Sequence, residues 1–340
     1  MLLKIPLQTL LKKSVLIYTI VLITSCGRNP QQVDVSAIAV KVKAERLEQD
    51  LFSSGGQNIS MLENKYGNYF DLYCYKLIQT GSPDTVLLKE RLLDFTSDAD
   101  LKEIYGVSES IFHNFSPIEI QLTDALKHYN YYFPQKLIPK IITFISGFNY
   151  AIVAADSALG VGVDMYLGSE SKFYPALQFP HYKIARMRKE YIAVDCMRGW
   201  AQSEWEEDNS QNDLLSQMIY SGKILFFIDA MMPDVPDTIK TGYTASQLKW
   251  SNENEKNTWS FFIDQKLLYS SDQNQIIKFL NDGPTTNGFP KESPGSIGQW
   301  LGWKIVQAYM KNNSAVTLSQ LMSGNDSKRI LNDSKYKPGK

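Results

Sequence analysis

The sequence predicts an α+β fold: a single compact, helix-rich domain with a small antiparallel sheet. Three observations predict it. Apolar residues recur at helical spacing through most of the chain after residue 181. β-prone residues concentrate in 140–166 rather than alternating with helices along the chain. No linker, composition break or internal repeat interrupts 33–335, which reads as one globular unit with a short 336–340 tail.

The first segment in order stands outside the fold. Lys4, Lys12 and Lys13 make a positive n-region, and 14–23 is an apolar run. The run is shorter than the roughly 20 residues a spanning helix needs. It ends in Ile23-Thr24-Ser25-Cys26, which resembles a bacterial lipobox. Small residues fit a protease subsite there, and the Cys26 thiol is the nucleophile that accepts lipid. The sequence therefore predicts a lipoprotein signal peptide over 1–25, a diacylated Cys26 and a lipidated tether over 26–32. Acyl chains hold a protein to a bilayer at about 0.8 kcal/mol per buried CH₂. Gly27 is not the aspartate that resembles an inner-membrane retention signal, and Gly27–Gln32 lacks the acidic run that resembles a surface-export signal. The expected location is the outer membrane, on its periplasmic face.

Val33 to Val42 is β-prone, and 45–52 is helical. Short helices are expected near 58–66, 69–79, 84–95 and 98–105. A longer one starts at Ser116, where Ser-x-x-Glu to Glu119 suggests a capping box and Pro117 suits the first turn. Strands are expected over 140–145, 150–154 and 159–166, with Asp156-Ser157 turning between the last two. Helices are expected near 183–205, 212–231, 245–269, 272–281, 296–311 and 317–323, with capping boxes opening at Thr244 and Thr317.

Composition narrows the function. The chain carries 35 basic and 36 acidic residues, with no basic stripe, so nucleic acid is not an expected partner. After Cys26 only Cys74 and Cys196 remain, and both read as small core residues rather than a disulfide. The sequence has no His-Glu-x-x-His, Gly-x-Ser-x-Gly, Walker or Cys-x-x-Cys motif. A zinc site needs imidazole or thiolate ligands at fixed spacing. The three histidines, His113, His128 and His181, are single and far apart, so no metal and no cofactor is expected. Among carboxylates, Asp156, Asp164, Glu190, Asp195 and Glu204 are the candidates, and Asp164 stands out because it breaks an apolar strand. Its simplest role is capping a turn or pairing with Arg186 or Arg198. An acid–base pair for catalysis is the sharper alternative.

Three aromatic segments carry the remaining interest. Trp200, Gln202 and Glu204 lie in 199–205, Thr285 and Thr286 in the 282–289 loop, and Gln299, Trp300 and Trp303 in 295–303. These eight residues form the candidate partner or ligand surface, against the plainer alternative that they pack a core. Gly298 and Gly302, four apart, offer a smooth helix face for another backbone.

The segments 141–166, 196–205, 214–229 and 282–310 together closely resemble the gliding motility lipoprotein family GldB of Bacteroidota, over essentially the whole mature chain. The resemblance implies an outer-membrane lipoprotein required for gliding and associated with type IX secretion. A remoter resemblance, to zinc proteases of the His-Glu-x-x-His type, rests on Leu214-Leu215-x-x-x-Ile219-x-Ser221-Gly222 and on Gly295 to Val306. It implies a degenerate zincin-like scaffold, because Ser221 stands where the metal-binding glutamate would and 195–202 holds no histidine. The expected protein is therefore a membrane-anchored, non-catalytic component of the gliding and secretion apparatus. It would meet the membrane through acylated Cys26 and other envelope proteins through its folded domain. The alternatives are a periplasmic peptide- or glycan-binding module and a divergent hydrolase.

Overall fold

The computed structural model describes residues 33–81, 87–155, 157–208, 210 and 212–339. Cys26, the signal and tether segments, Asp156 and the start of the expected 84–95 helix lie outside them. The chain opens with β1 (Glu45–Arg46) and the helices α1 (Leu47–Ser53), α2 (Ile59–Tyr66), α3 (Asn68–Leu72), α4 (Leu88–Ser97), α5 (Ala99–Phe112) and α6 (Ser116–Tyr132). Strands β2 (Lys140–Phe144), β3 (Ile152–Ala155) and β4 (Ala158–Gly162) follow. The helices then resume with α7 (Phe173–Ala176), α8 (His181–Ile184), α9 (Ile192–Glu204), α10 (Leu214–Met231) and α11 (Asp237–Thr241). The last are α12 (Ala245–Glu253), α13 (Glu255–Asp264), α14 (Gln273–Leu280), α15 (Ile297–Asn312), α16 (Leu318–Ser323) and α17 (Ser327–Ser334). The fold is α+β, with a four-stranded sheet among helices.

The sheet order is β1-β2-β4-β3, and it is mixed rather than wholly antiparallel. β3 and β4 form an antiparallel hairpin, while β2 pairs in parallel with both β1 and β4. The reason is the 145–151 crossover, which carries the chain past β4's place before the tight turn sends it back. Asp164 fixes that crossover by accepting the Ser146 and Phe148 N–H groups at 3.1 and 2.7 Å. Its interruption of the apolar strand is thus a loop anchor, and among the described residues no arginine pairs with it. The expected 159–166 strand ends at Gly162, and 163–166 turns as a 3-10 helix.

Helices cover both faces of the sheet, so its strands read as apolar runs rather than strict alternation. Ile142, Phe144 and Ala158 face a small core built with α1 to α4. Ile141, Leu159 and Val161 face the large core of α6, α9, α10 and α15. Cys74 lies in the first core and Cys196 in the second, both as buried thiols. Gly160 is required because a Cβ there would sit 1.8 Å from the Tyr69 hydroxyl.

Further local expectations change, and the expected 245–269 helix is two helices, α12 and α13, parted at Asn254. Residues 33–44 pair into no strand, and only Glu45–Arg46 joins the sheet. Ser116 is the first helical residue rather than the cap, because Glu119 turns away to accept the Ala44 N–H at 3.0 Å. The 183–205 helix is broken: 185–188 leaves helical geometry to bridge Leu167 through Arg188. The Thr244 and Thr317 capping boxes both form.

Helix α10 is apolar enough and long enough to cross a membrane, but 78% of it is buried inside the protein. It is apolar all round because it is the central helix. Its closest neighbour is α15. A Cβ on Gly302 would lie 1.8 Å from the Met218 carbonyl oxygen, and one on Gly222 would lie 2.3 Å from the Gly302 carbonyl carbon. The two backbones meet directly there, and only glycine permits it.

Candidate functional site

Beside this glycine seam, α9, α10 and α15 line a cavity of about 750 Å³. Segments 182–188, 238–245 and 282–284 complete its wall. From α9 come Asp195, Arg198 and Gln202, spaced three and four apart so that they share one helix face. From α10 come Tyr220, Ser221 and Ile224, and from α15 Gln299 and Trp300. The three sequence blocks around 195–202, 214–222 and 295–306 therefore converge on one place.

Asp195 accepts a hydrogen bond from the Tyr166 hydroxyl at 3.0 Å. Burial pushes its carboxyl above the usual range, with Arg198 and the Tyr166 bond partly offsetting that. Arg198 donates from Nη2 to the Lys240 carbonyl. Burial lowers the guanidinium's pKa, and Asp195 opposes the shift. Lys240 in turn pairs with Asp229 at 2.9 Å, both buried, and Asp229 accepts the Trp303 indole N–H at 2.7 Å. This chain of contacts ties the cavity wall to the α10–α15 core. At the rim Arg186 pairs with Asp282, and Arg186 and Arg188 lie over the Tyr182 and Tyr191 rings. Lys183, Arg186, Arg188 and Arg198 thus outnumber Asp195 and Asp282 around the space.

The eight candidate surface residues separate. Gln202, Gln299 and Trp300 line the cavity. Trp200 and Trp303 do not rim a groove; they are 2% and 1% exposed and pack the core, as large aromatic rings flanked by helices do. Trp300 is fully buried as well, and among the described residues its indole N–H has no partner. Thr286 is buried, donating to the Pro294 carbonyl at 2.8 Å and accepting the Ile297 N–H, so it locks the loop that leads into α15. Thr285 is half-buried and outside the cavity wall. Glu204 pairs with Lys136 away from the cavity. Its separation from Gln202 is the ordinary rotation of two helix positions.

Sequence reasoning named Asp195, Arg186 and Arg198 only as generic carboxylate or pairing partners. It passed over Tyr166, Tyr220 and Tyr243. The available signal was the i, i+3, i+7 spacing of Asp195, Arg198 and Gln202 on an otherwise apolar helix. Among the described residues, no three His, Cys, Asp or Glu side chains converge on a shared metal position. His128 is buried with Nδ1 3.0 Å from the Asp124 carbonyl oxygen, and His113 and His181 are exposed. Chemically, the cavity offers guanidinium and hydroxyl donors, the Asp195 and Asp282 carboxylates and aromatic walls.

A family model described as gliding motility protein GldB matches residues 28–338. No curated protein and no solved structure gives a significant match.

Proposed function

This chain belongs to the GldB family of gliding motility lipoproteins, and on that premise we propose a membrane-tethered, non-catalytic component of the gliding and type IX secretion apparatus. It would act from the periplasmic face of the outer membrane, anchored through acylated Cys26. The family match over 28–338 carries this reading, because it spans the whole folded region and not a shared local motif. The lipobox supports the anchor. The cavity supports a binding role: Asp195 and two of the cations are held by structural partners, Tyr166 on Asp195, the Lys240 carbonyl on Arg198 and Asp282 on Arg186.

The test is a deletion strain of a gliding bacterium complemented with full-length protein. Cys26→Ala should leave unprocessed precursor in the inner membrane and fail to restore colony spreading. A photo-crosslinker at exposed Gln202 should capture a gliding or secretion protein. Normal palmitate labelling of the Cys26→Ala protein, or full motility without the anchor, would overturn the reading.

A divergent hydrolase is the second reading, and one observation favours it. Asp195 is a carboxyl with a raised pKa in a cavity that also presents Ser221. Its prediction is turnover of a bound substrate that is lost in Asp195→Asn.

A further inference from the structure

We infer that the cavity binds an extended peptide that brings a carboxylate to Arg198. The inference rests on the binding role proposed above and names its ligand class.

Arg198 is the first observation. Among the described residues its guanidinium makes one hydrogen bond, to the Lys240 carbonyl, and no ion pair. A guanidinium has five N–H donors in a fixed fork, and a carboxylate matches that fork in two contacts. The bond to Lys240 fixes the side chain and leaves the rest of the fork available. Lys183, Arg186 and Arg188 add positive charge around the same space.

The second observation is a set of further unused polar groups on the same wall. The Ser221 hydroxyl and the Gln202 amide make no hydrogen bond among the described residues. Among the described residues Asp195 accepts from Tyr166 alone, and it can accept again. Hydroxyl, amide and carboxylate groups on one wall offer both donors and acceptors, which peptide groups need.

The third observation is the sheet edge. β3 is the last strand of the sheet, and Ala151, next to it, lines the cavity. The Gly162 N–H bonds the Ala151 carbonyl, and Val153 and Ala155 lie opposite Gly160 and Ala158. Antiparallel pairing alternates, so the N–H and C=O groups of Ile152 and Ala154 point away from β4. Helix α9 packs on this strand, since a Cβ on Gly199 would lie 2.7 Å from the Ile152 side chain. An added strand along β3 would therefore run beside the helix that carries Arg198.

Trp200, Trp300 and Trp303 are 2%, 0% and 1% exposed, so a sugar chain would have to stack on the half-buried Tyr182 and Tyr220 instead.

The test uses three libraries of N-acetylated tetrapeptides against the soluble domain from residue 27 onward. One library ends in a free carboxylate, one in an amide, and one in an amide with glutamate at the third position. Selected members are then measured by calorimetry. The inference expects members of the first or third library to bind, which tells a terminal carboxylate from a side-chain one. Binding should fall tenfold or more in Arg198→Met, and Ala154→Pro, which removes an outward edge N–H, should weaken it severalfold. If Arg198→Met melts far below the native protein, Arg198→Lys and Ala154→Pro decide the matter. Equal binding of the uncharged amide library, undiminished binding by the arginine variants, or retention of uronic-acid sugars but no peptide overturns the inference. Failure here with motility still dependent on Cys26 sinks the ligand class alone. Motility independent of Cys26 sinks the broader reading.

Discussion

Helices α10 and α15 touch on one side and part on the other. On the closed side Gly222 and Gly302 bring the two backbones together, and no side chain fits between them. On the open side Ser221 and Trp300, each a near neighbour of those glycines, line the cavity. The same pair of helices thus makes a direct backbone-to-backbone contact and part of the wall of the 750 Å³ cavity. Rigid packing on one side can hold polar groups in place on the other, without those groups having to pack against each other.

Substitutions can break that comparison, and Trp303 should show the largest effect. It is buried and its indole N–H bonds Asp229, so Trp303→Ala should cost about 3–5 kcal/mol in denaturant unfolding. Trp300→Ala should cost clearly less, because its missing volume opens into a cavity already present. Equal losses would mean that the open side is packed like the closed one.

Lys240 links the two sides and comes next. Lys240→Met would leave Asp229 as a buried, unpaired charge, at about 3–5 kcal/mol near neutral pH. Burial already raises the Asp229 pKa, and losing the lysine would raise it further. A folded pKa above the unfolded 3.8 means stability present at low pH and lost as pH rises through the folded value. The deficit of Lys240→Met should therefore shrink on acidification. A deficit constant from pH 4 to pH 8 would contradict the buried pair.

The seam itself gives a graded test. Gly302→Ala places a methyl against a backbone oxygen that cannot rotate away, and about 2–3 kcal/mol of overpacking is expected. Gly298→Ala meets the Leu280 side chain and Phe279 carbonyl at 3.0 Å, and should cost less. Melting temperatures of the two variants check the order, and an unchanged Gly302→Ala protein refutes the close contact.

The smallest effect belongs to the crossover behind the cavity rim. Burial pushes Asp164 up to about 6, above its unfolded 3.8. The folded state therefore holds its proton longer, and stability should decline by on the order of 1–2 kcal/mol from pH 4 to pH 6. Asp164→Asn keeps an oxygen for Ser146 and Phe148 and should flatten that slope. A slope that persists in the variant would assign it to other groups.

What could be read in the sequence follows the same division. The Gly298–Gly302 spacing, the α10 apolar run and the two threonine capping boxes are periodic or local, and they appear where expected. The cavity is neither. Its wall takes Tyr166 from a turn after the sheet, Arg186 from the broken 183–205 segment and Tyr243 from a loop, and no spacing connects them. Trp200 and Trp303 stand beside polar groups in the sequence, but helices buried in a core also need large rings. Trp303 keeps its polar neighbour for an internal reason, the bond to Asp229. The mixed sheet was hidden as well, because a seven-residue crossover fixed by Asp164 leaves no strand-like pattern of its own.

The central claim is that the cavity binds and does not cut. Peptides selected on the purified domain should be incubated with it for a day and recovered by mass spectrometry. The account predicts that every bound peptide returns at full length, with native protein and with Asp195→Asn alike. Fragments that accumulate with the native protein and vanish with Asp195→Asn would contradict it and establish a hydrolase.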